Sequence, residues 1–307
     1  MKGLSIHLTD QCNQSCKFCV VDSYQERKEA VNMKTIKKFL KENSGQGYEI
    51  VNIHGGESTI VPGFIEVLTM IKEYGYPQVS LQTNARTLKD KEFTQQLIDL
   101  NVKTFVTSFH TISEKEMADL ANVDETWLGE IIQGIKNAKE LGAKVRTNTV
   151  VYKKNRNQLV DIIKFIVKEL KVDHINISAM HPAGRAYKNF EEVAPRLTDI
   201  IEPVKQAVDY VESQGTVVTL EGFAPCMLGD YTKYIVDWEA SNFKLLYHMF
   251  VLPNYADFMT SKTRTLGVMC EKCIYKKDKL CGGMYNEYIE KYGWDEFKNV
   301  KPILETE

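Results

Sequence analysis

Two periodicities alternate along the first 220 residues. Short β-branched or apolar runs predict strands over Leu4–Leu8, Ile50–Ile53, Val79–Leu81, Thr104–Thr107, Val145–Val151, His174–Ile177 and Thr216–Leu220. Longer amphipathic stretches predict helices between them, over Met33–Lys41, Pro62–Tyr74, Asp90–Leu100, Thr126–Leu141, Gln158–Leu170 and Ile201–Gln214. In Gln158–Leu170, Leu159, Ile162, Ile163, Ile166 and Val167 fall on one helical face. Gly75, Gly142 and Gly215 sit where helices end, and Pro62 suits an early helical position. Repeated βα order means parallel strands joined by right-handed crossovers. That leaves a doubly wound sheet or a complete or partial barrel, and strand order alone does not choose.

After Leu220 the alternation stops. Glu221–Glu307 is aromatic-rich and irregular, carries four cysteines, and predicts one helix near Met284–Tyr292. No Pro/Gly/Ser linker precedes it, so it is expected to pack on the first region. The expected units are residues 1–222 and residues 223–307.

Charge and length narrow the class. The 307 residues carry 39 Lys+Arg against 41 Asp+Glu, a formal net charge of -2. With no basic stripe, this disfavours a nucleic-acid partner or an anionic-membrane binder. No apolar run approaches the roughly 18 residues of a membrane span, and MKGLSIHLTDQC lacks the apolar stretch of a signal peptide. The expected location is the cytoplasm, where thiols stay reduced. Seven cysteines cannot form a complete disulfide set within one chain, and their clustering points to metal.

Chemistry in parallel α/β proteins gathers at the C-terminal ends of strands. Here the strands run into Thr9-Asp10-Gln11-Cys12, His54-Gly55-Gly56-Glu57-Ser58, Gln82-Thr83-Asn84 and Ser108-Phe109-His110. Asn148 lies on the fifth strand, and Ser178 and His181 follow the sixth. The default for His54, His110 and His181 is a hydrogen-bonded structural role. Cys12-x3-Cys16-x2-Cys19 places three thiolates in one short loop. A closed zinc site wants four ligands, and no fourth Cys or His is near. Three cysteines on a [4Fe–4S] cluster leave one iron open to a chelating small molecule.

The run Cys12-Asn13-Gln14-Ser15-Cys16-Lys17-Phe18-Cys19 resembles the CxxxCxxC signature of the radical S-adenosylmethionine (radical SAM) enzymes, with an aromatic before the last cysteine. Gly55-Gly56-Glu57 is similar to that family's GGE(P) segment, with Ser58 for proline, and Thr83-Asn84-Ala85 to its TNG turn, with Ala for Gly. The resemblance implies a partial (βα)6 TIM-type barrel with a small C-terminal iron–sulfur domain. It implies that Cys12, Cys16 and Cys19 bind a [4Fe–4S] cluster. Gly55, Gly56, Glu57, Thr83 and Asn84 would then bind S-adenosylmethionine (SAM), Phe18 would pack near its adenine, and Ser108 and Asn148 would approach its ribose and carboxylate. The implied chemistry is reductive cleavage of SAM to a 5′-deoxyadenosyl radical that takes a substrate hydrogen.

Cys270-x2-Cys273-x7-Cys281 is a second compact ligand set, and Cys226 would make four. It resembles the twitch/SPASM tails that hold auxiliary clusters, with cysteines enough for one auxiliary [4Fe–4S] cluster. Zinc competes at this site, and Cys226 is either a ligand or a hydrogen-atom donor to a substrate radical. The implied substrate is a ribosomally made peptide undergoing oxidative or epimerising modification, with a small molecule derived from a sugar, nucleoside or amino acid as the alternative. An electron donor such as flavodoxin or ferredoxin would be needed. The first motif begins at residue 12, so a separate leader-binding protein is expected. A non-catalytic two-cluster electron carrier is the reading from another class.

Overall fold

The computed structural model describes residues 2–27, 29–236, 243–277, 281–298 and 300. The βα alternation appears as β1 (Gly3–His7), α1 (Met33–Asn43), β2 (Ile50–His54), α2 (Phe64–Glu73), β3 (Val79–Thr83), α3 (Lys91–Asp99) and β4 (Val102–Ser108). Two helices, α4 (Glu114–Ala121) and α5 (Trp127–Glu140), lead to β5 (Lys144–Val151), then α6 (Leu159–Phe165) and β6 (His174–Ala179). Two single-turn helices, α7 (Arg185–Lys188) and α8 (Phe190–Val193), and the long α9 (Leu197–Ser213) precede β7 (Val217–Glu221).

Strands β1 to β7 pair in parallel and in chain order. Among the described residues β7 does not pair with β1, so the sheet does not close; the other side of β7 carries an isolated parallel bridge from Leu220 to Ile235. The architecture is a partial (βα) barrel, with helices on the convex side. Alternation along β5 shows how it is layered. Val145, Thr147, Thr149 and Val151 are buried toward the helices, while Arg146, Asn148 and Val150 are only half-buried. The latter set lines the concave side. Gln82, in mid-strand, is exposed, so the concave side is open to water.

Three elements depart from the sequence pattern. Helix α9 begins at Leu197, although Pro203 lies inside it. A proline there removes one backbone donor, and burial of Leu197, Ile200 and Val204 holds the helix through it. The predicted helix over Gln158–Leu170 is α up to Phe165, and Ile166–Leu170 forms a wider π turn. Helix α2 starts at Phe64 rather than Pro62, capped by Gly63 in the left-handed region (φ +86°).

The tail is the larger departure. β8 (Phe243–Tyr247) adds in parallel to the free side of β1, and β9 (Phe250–Leu252) turns back antiparallel to it. The sheet therefore has nine strands, in the order β7-β6-β5-β4-β3-β2-β1-β8-β9. Phe243-Lys244-Leu245-Leu246-Tyr247 is too short and too mixed to show a period. With neighbours on both sides, all of β1 is buried. The rest of the tail is built from short pieces: α10 (Pro225–Leu228), α11 (Tyr255–Thr263), β10 (Arg264–Thr265), α12 (Ile274–Lys277), β11 (Met284–Tyr285) and α13 (Asn286–Tyr292). Met284, Tyr285, Tyr288 and Phe297 are buried in the same core as the barrel helices. The Tyr288 hydroxyl accepts from the Leu197 N–H at 2.9 Å, and the Tyr292 hydroxyl donates to the Ala194 carbonyl at 2.8 Å. The tail is thus packed on the barrel, as expected from the missing linker.

Candidate active site

The segment after β1 is closed on itself before it presents any cysteine. The Val31 N–H donates to Leu8 O at 2.9 Å, Asp10 N–H to Glu29 O at 2.7 Å and Cys12 N–H to Tyr24 O at 3.1 Å. Two further strand ends, those of β2 and β3, then fix the loop. Gly55 and Gly56 lie directly against it: a Cβ on Gly55 would meet Thr9 O at 2.3 Å, and one on Gly56 would meet Gln11 O at 2.0 Å. The Gly56 and Glu57 N–H groups donate to Thr9 O at 2.6 Å and Gln11 O at 2.8 Å. The close approach these glycines permit is therefore, first of all, to the chain's own backbone.

Glu57 is fully buried and ties the β2 loop to the β3 turn. Its Oε1 accepts from the Thr59 N–H (3.2 Å), the Thr59 hydroxyl (2.6 Å) and the Thr83 hydroxyl (2.9 Å). Its Oε2 accepts from the Asn84 N–H at 2.7 Å. A carboxylate offers about four lone-pair directions, so only Oε2 keeps room for a ligand ammonium. Burial pushes the Glu57 pKa up, and these hydrogen bonds pull against that rise. Asn84 reaches back to the cysteine loop, its Nδ2 donating to Asn13 Oδ1 at 2.7 Å. Ala85 occupies the left-handed region at φ +64°, where the resembling motif has glycine.

Cys16, Gln14, Asn84, Ser108 and His110 border one small cavity of about 10 Å³, walled on the α4–α5 side by Met117, Leu120 and Ile131. The Phe18 ring packs edge-on to His110, with centroids 4.9 Å apart, and against Tyr152 at 5.5 Å. His110 Nδ1 accepts from the Val150 N–H at 3.2 Å, and burial pulls its pKa down to about 4. It is a neutral structural histidine. Asn148 lies one strand beyond Ser108 in register. Its Oδ1 accepts from Asn176 at 2.8 Å and from the Ser178 hydroxyl at 2.7 Å.

Two contributors left little trace in the sequence. Arg185, on α7, reaches under the cysteine loop and donates to Ser15 Oγ (2.6 Å), Ser23 O (3.0 Å), Asp22 Oδ1 (2.9 Å) and Cys16 O (3.4 Å). Gly184 beside it is at φ +60°, where a Cβ would meet Val20 O at 2.3 Å. Only the fold brings these residues together. Helix α4 is the other: its terminal carbonyls at Leu120 and Ala121 accept from the Lys17 and Ser15 N–H groups, both at 2.8 Å. A signal for α4 existed in Ser113-x-x-Glu116, since the Ser113 hydroxyl caps the Glu116 N–H at 3.3 Å.

The two cysteine groups are each gathered. Burial, Glu57 and Cys19 push the Cys12 thiol up to about 12, and burial with its two partner cysteines raises Cys16. In the tail, burial and then Cys281, Cys270 and Cys273 push Cys226 up to about 12. Cys226 is thus within electrostatic reach of all three. Among the described residues, no three cysteine sulfurs lie within 4.8 Å of one another. A single tetrahedral zinc, at about 2.3 Å from each sulfur, would hold them roughly 3.8 Å apart. An iron–sulfur cube takes each sulfur on a separate iron and needs wider spacing than a single zinc ion. The group that does meet the closer spacing is His7, Asp10 and His248. There Arg27 stands 2.7 Å from Asp10 Oδ2 and already supplies the positive charge.

The family model described as the Radical SAM superfamily matches residues 6–166, more than half of the 307-residue chain. The chain belongs to the radical SAM superfamily. A curated relative, a probable GTP 3′,8-cyclase from Sulfurisphaera tokodaii, is 28% identical over 213 residues. That match spans 69% of this chain and 66% of the relative, just under two thirds of its length. Among solved structures, Streptococcus suis SuiB bound to S-adenosylmethionine matches with a TM-score of 0.68 at 18% identity, covering 99% of this chain and 76% of SuiB. SuiB bound to the precursor peptide SuiA matches with a TM-score of 0.63 at 20% identity, covering 86% of this chain and 61% of SuiB. At such identities the likeness shows the fold. This radical SAM superfamily member thus carries its signature cysteines on a loop held by β2, β3, α4 and α7. Among the described residues, no helix is long and apolar enough to cross a membrane.

Proposed function

We propose that Cys12, Cys16 and Cys19 hold a [4Fe–4S] cluster with an iron open to SAM, and that Cys226, Cys270, Cys273 and Cys281 hold one auxiliary [4Fe–4S] cluster. When bound, the first cluster and SAM supply a 5′-deoxyadenosyl radical that abstracts a substrate hydrogen, and the auxiliary cluster supplies a nearby redox partner. The chain's own residues position these groups. Glu57 Oε2 offers its remaining lone pair to the SAM ammonium, Ser108 and Asn148 face its ribose and carboxylate, and Phe18 shields the adenine side. Convergence of Cys226 on the tail cysteines supports a ligand role for it over hydrogen-atom donation.

The reading best supported for the substrate is a ribosomally made peptide, modified by oxidation or epimerisation. One observation carries it: the fold likeness to SuiB, also solved with the precursor peptide SuiA bound, extends over 99% of this chain. The cyclase relatives favour the second reading, a nucleoside-type small molecule. A flavodoxin or ferredoxin would deliver electrons.

The test is SAM cleavage by the anaerobically reconstituted, reduced full chain. 5′-Deoxyadenosine is measured alone, with synthetic peptides encoded beside the gene, and with GTP. Peptide-dependent cleavage with a mass change in the peptide is the expected result. Stimulation by GTP alone overturns the peptide reading. No 5′-deoxyadenosine from iron-loaded protein overturns the radical mechanism.

A further inference from the structure

The concave side of the sheet carries a row with three polar side chains and one valine that none of the assigned groups uses. In register across the strands lie Gln82 on β3, Val106 on β4, Arg146 on β5 and His174 on β6. The next row toward the mouth holds Ser108, Asn148, Asn176 and Thr219. Arg146 is two residues below Asn148, hence about 6.6 Å deeper in the lumen.

The upper row is satisfied internally. Asn176 Nδ2 donates to Asn148 Oδ1 (2.8 Å), Ser178 Oγ (2.8 Å) and Glu221 Oε2 (2.9 Å). The Thr219 hydroxyl donates to Asn176 Oδ1 at 2.8 Å, and His174 Nε2 pairs with that hydroxyl at 2.8 Å. Arg146 is outside this network. Its Nε is buried without an acceptor, and its side chain has no hydrogen bond or ion pair with any described residue. Glu221 lies within electrostatic reach, but its bonded oxygen is turned to Asn176. Burial accordingly pulls the Arg146 pKa down from its ordinary value.

A guanidinium presents five donors in a planar fork suited to a carboxylate or phosphate. Leaving it half-buried with no acceptor costs stability. It faces an open lumen, directly beneath the row expected to meet the SAM ribose. We propose that Arg146 is the anchor of an anion subsite in the barrel lumen, which takes a carboxylate or phosphate group of the substrate. Gln82, exposed in the same row, supplies a neutral donor beside it. The substrate would then carry its anion on the side of the reacting carbon away from the mouth. The inference rests on the proposed reading only in treating the lumen as the substrate chamber.

The experiment is thermal unfolding of the full reconstituted chain, as wild type, Arg146→Met and Arg146→Lys. The probes are inorganic phosphate and glutarate, each against potassium chloride at matched ionic strength. The expected result is a wild-type Tm rise of roughly 2–4 °C near saturation with at least one probe. Arg146→Met should lose that rise, Arg146→Lys should keep part of it, and anion-free Arg146→Met should melt no lower than wild type. A response to phosphate alone assigns the source to phosphorylated substrates, and one to glutarate alone to acidic side chains. No wild-type response, an undiminished response in Arg146→Met, or a marked anion-free Tm loss in both variants overturns the proposal. SAM cleavage measured on the same preparations keeps the two readings apart. Peptide-dependent cleavage without anion binding removes only the subsite, and anion binding without cleavage removes only the radical reading.

Discussion

Cys12, Cys16 and Cys19 hang from a frame of strand ends, whereas Cys226, Cys270, Cys273 and Cys281 hang from short tail elements. The first loop is bonded to β2 through Gly56 and Glu57, to β3 through Asn84, to α4 through Ser15 and Lys17, and to α7 through Arg185. The second group has mainly local support: Cys270 N–H to Gly267 O, Cys273 N–H to Cys270 O, and Gly283 N–H to Cys281 Sγ. Val268, two residues before Cys270, is 81% exposed. The first site is therefore shaped before any metal arrives. If the tail cysteines hold the proposed auxiliary cluster, that ligand would supply more of the order there, as in small metal sites.

The largest contrast should come from removing ligands. Replacing Cys12, Cys16 and Cys19 with Ala should lower bound iron from about 8 to about 4 per chain and abolish 5′-deoxyadenosine formation. Hydrogen exchange of the barrel amides should barely change. Replacing Cys270 and Cys273 should remove a similar amount of iron and speed exchange across the tail around residues 264–298. Equal loosening of both regions would break the comparison.

Gly56→Ala comes next, because its Cβ would fall 2.0 Å from the Gln11 carbonyl, which is backbone and cannot rotate away. A loss of about 3 kcal/mol is expected in urea unfolding, with the first cluster lost and the auxiliary iron kept. Arg185→Met removes several charge-assisted bonds from a side chain that is 14% exposed. About 2 kcal/mol is expected, together with weaker iron retention at the first site alone. A variant that loads both clusters normally would show that the cysteine loop does not need the α7 clamp.

The mildest perturbation is of pH, whose full effect is reached only near pH 4. His110 is held neutral, its pKa down to about 4 from an ordinary 6.5. The unfolded chain takes up a proton below pH 6.5 that the native chain refuses until about pH 4. The stability from His110 is therefore complete above pH 6.5 and falls as pH drops toward 4, by up to about 3 kcal/mol. Urea midpoints measured over that range should fall less steeply in His110→Gln. An unchanged slope would assign the acid sensitivity to other groups.

How much was legible follows from the range of each signal. The barrel strands and most of their helices were readable because apolar periods are local and long. The Cys12–Cys19 spacing was readable because ligands for one cluster fit in one loop. The β8 strand was not, since five mixed residues carry no period and the partner, β1, lies more than 230 positions away. Arg185 was not, because a single arginine in a loop has no local mark of what it holds. Gly55 and Gly56 were visible as residues that permit close approach, but what approaches them, the Thr9–Gln11 backbone, was not.

The sequence by itself determined the alternating parallel layout, the compact cysteine groups Cys12–Cys19 and Cys270–Cys281, and the superfamily. Each is written in short-range spacing. Tertiary structure alone decided that the tail extends the sheet beyond β1, that Glu57 spends most of its lone pairs on Thr59, Thr83 and Asn84, and that Arg146 faces the lumen without an acceptor. Those outcomes depend on which distant groups meet and which are left unpaired, and hydrogen-bond satisfaction is a property of the packed molecule rather than of any segment of it.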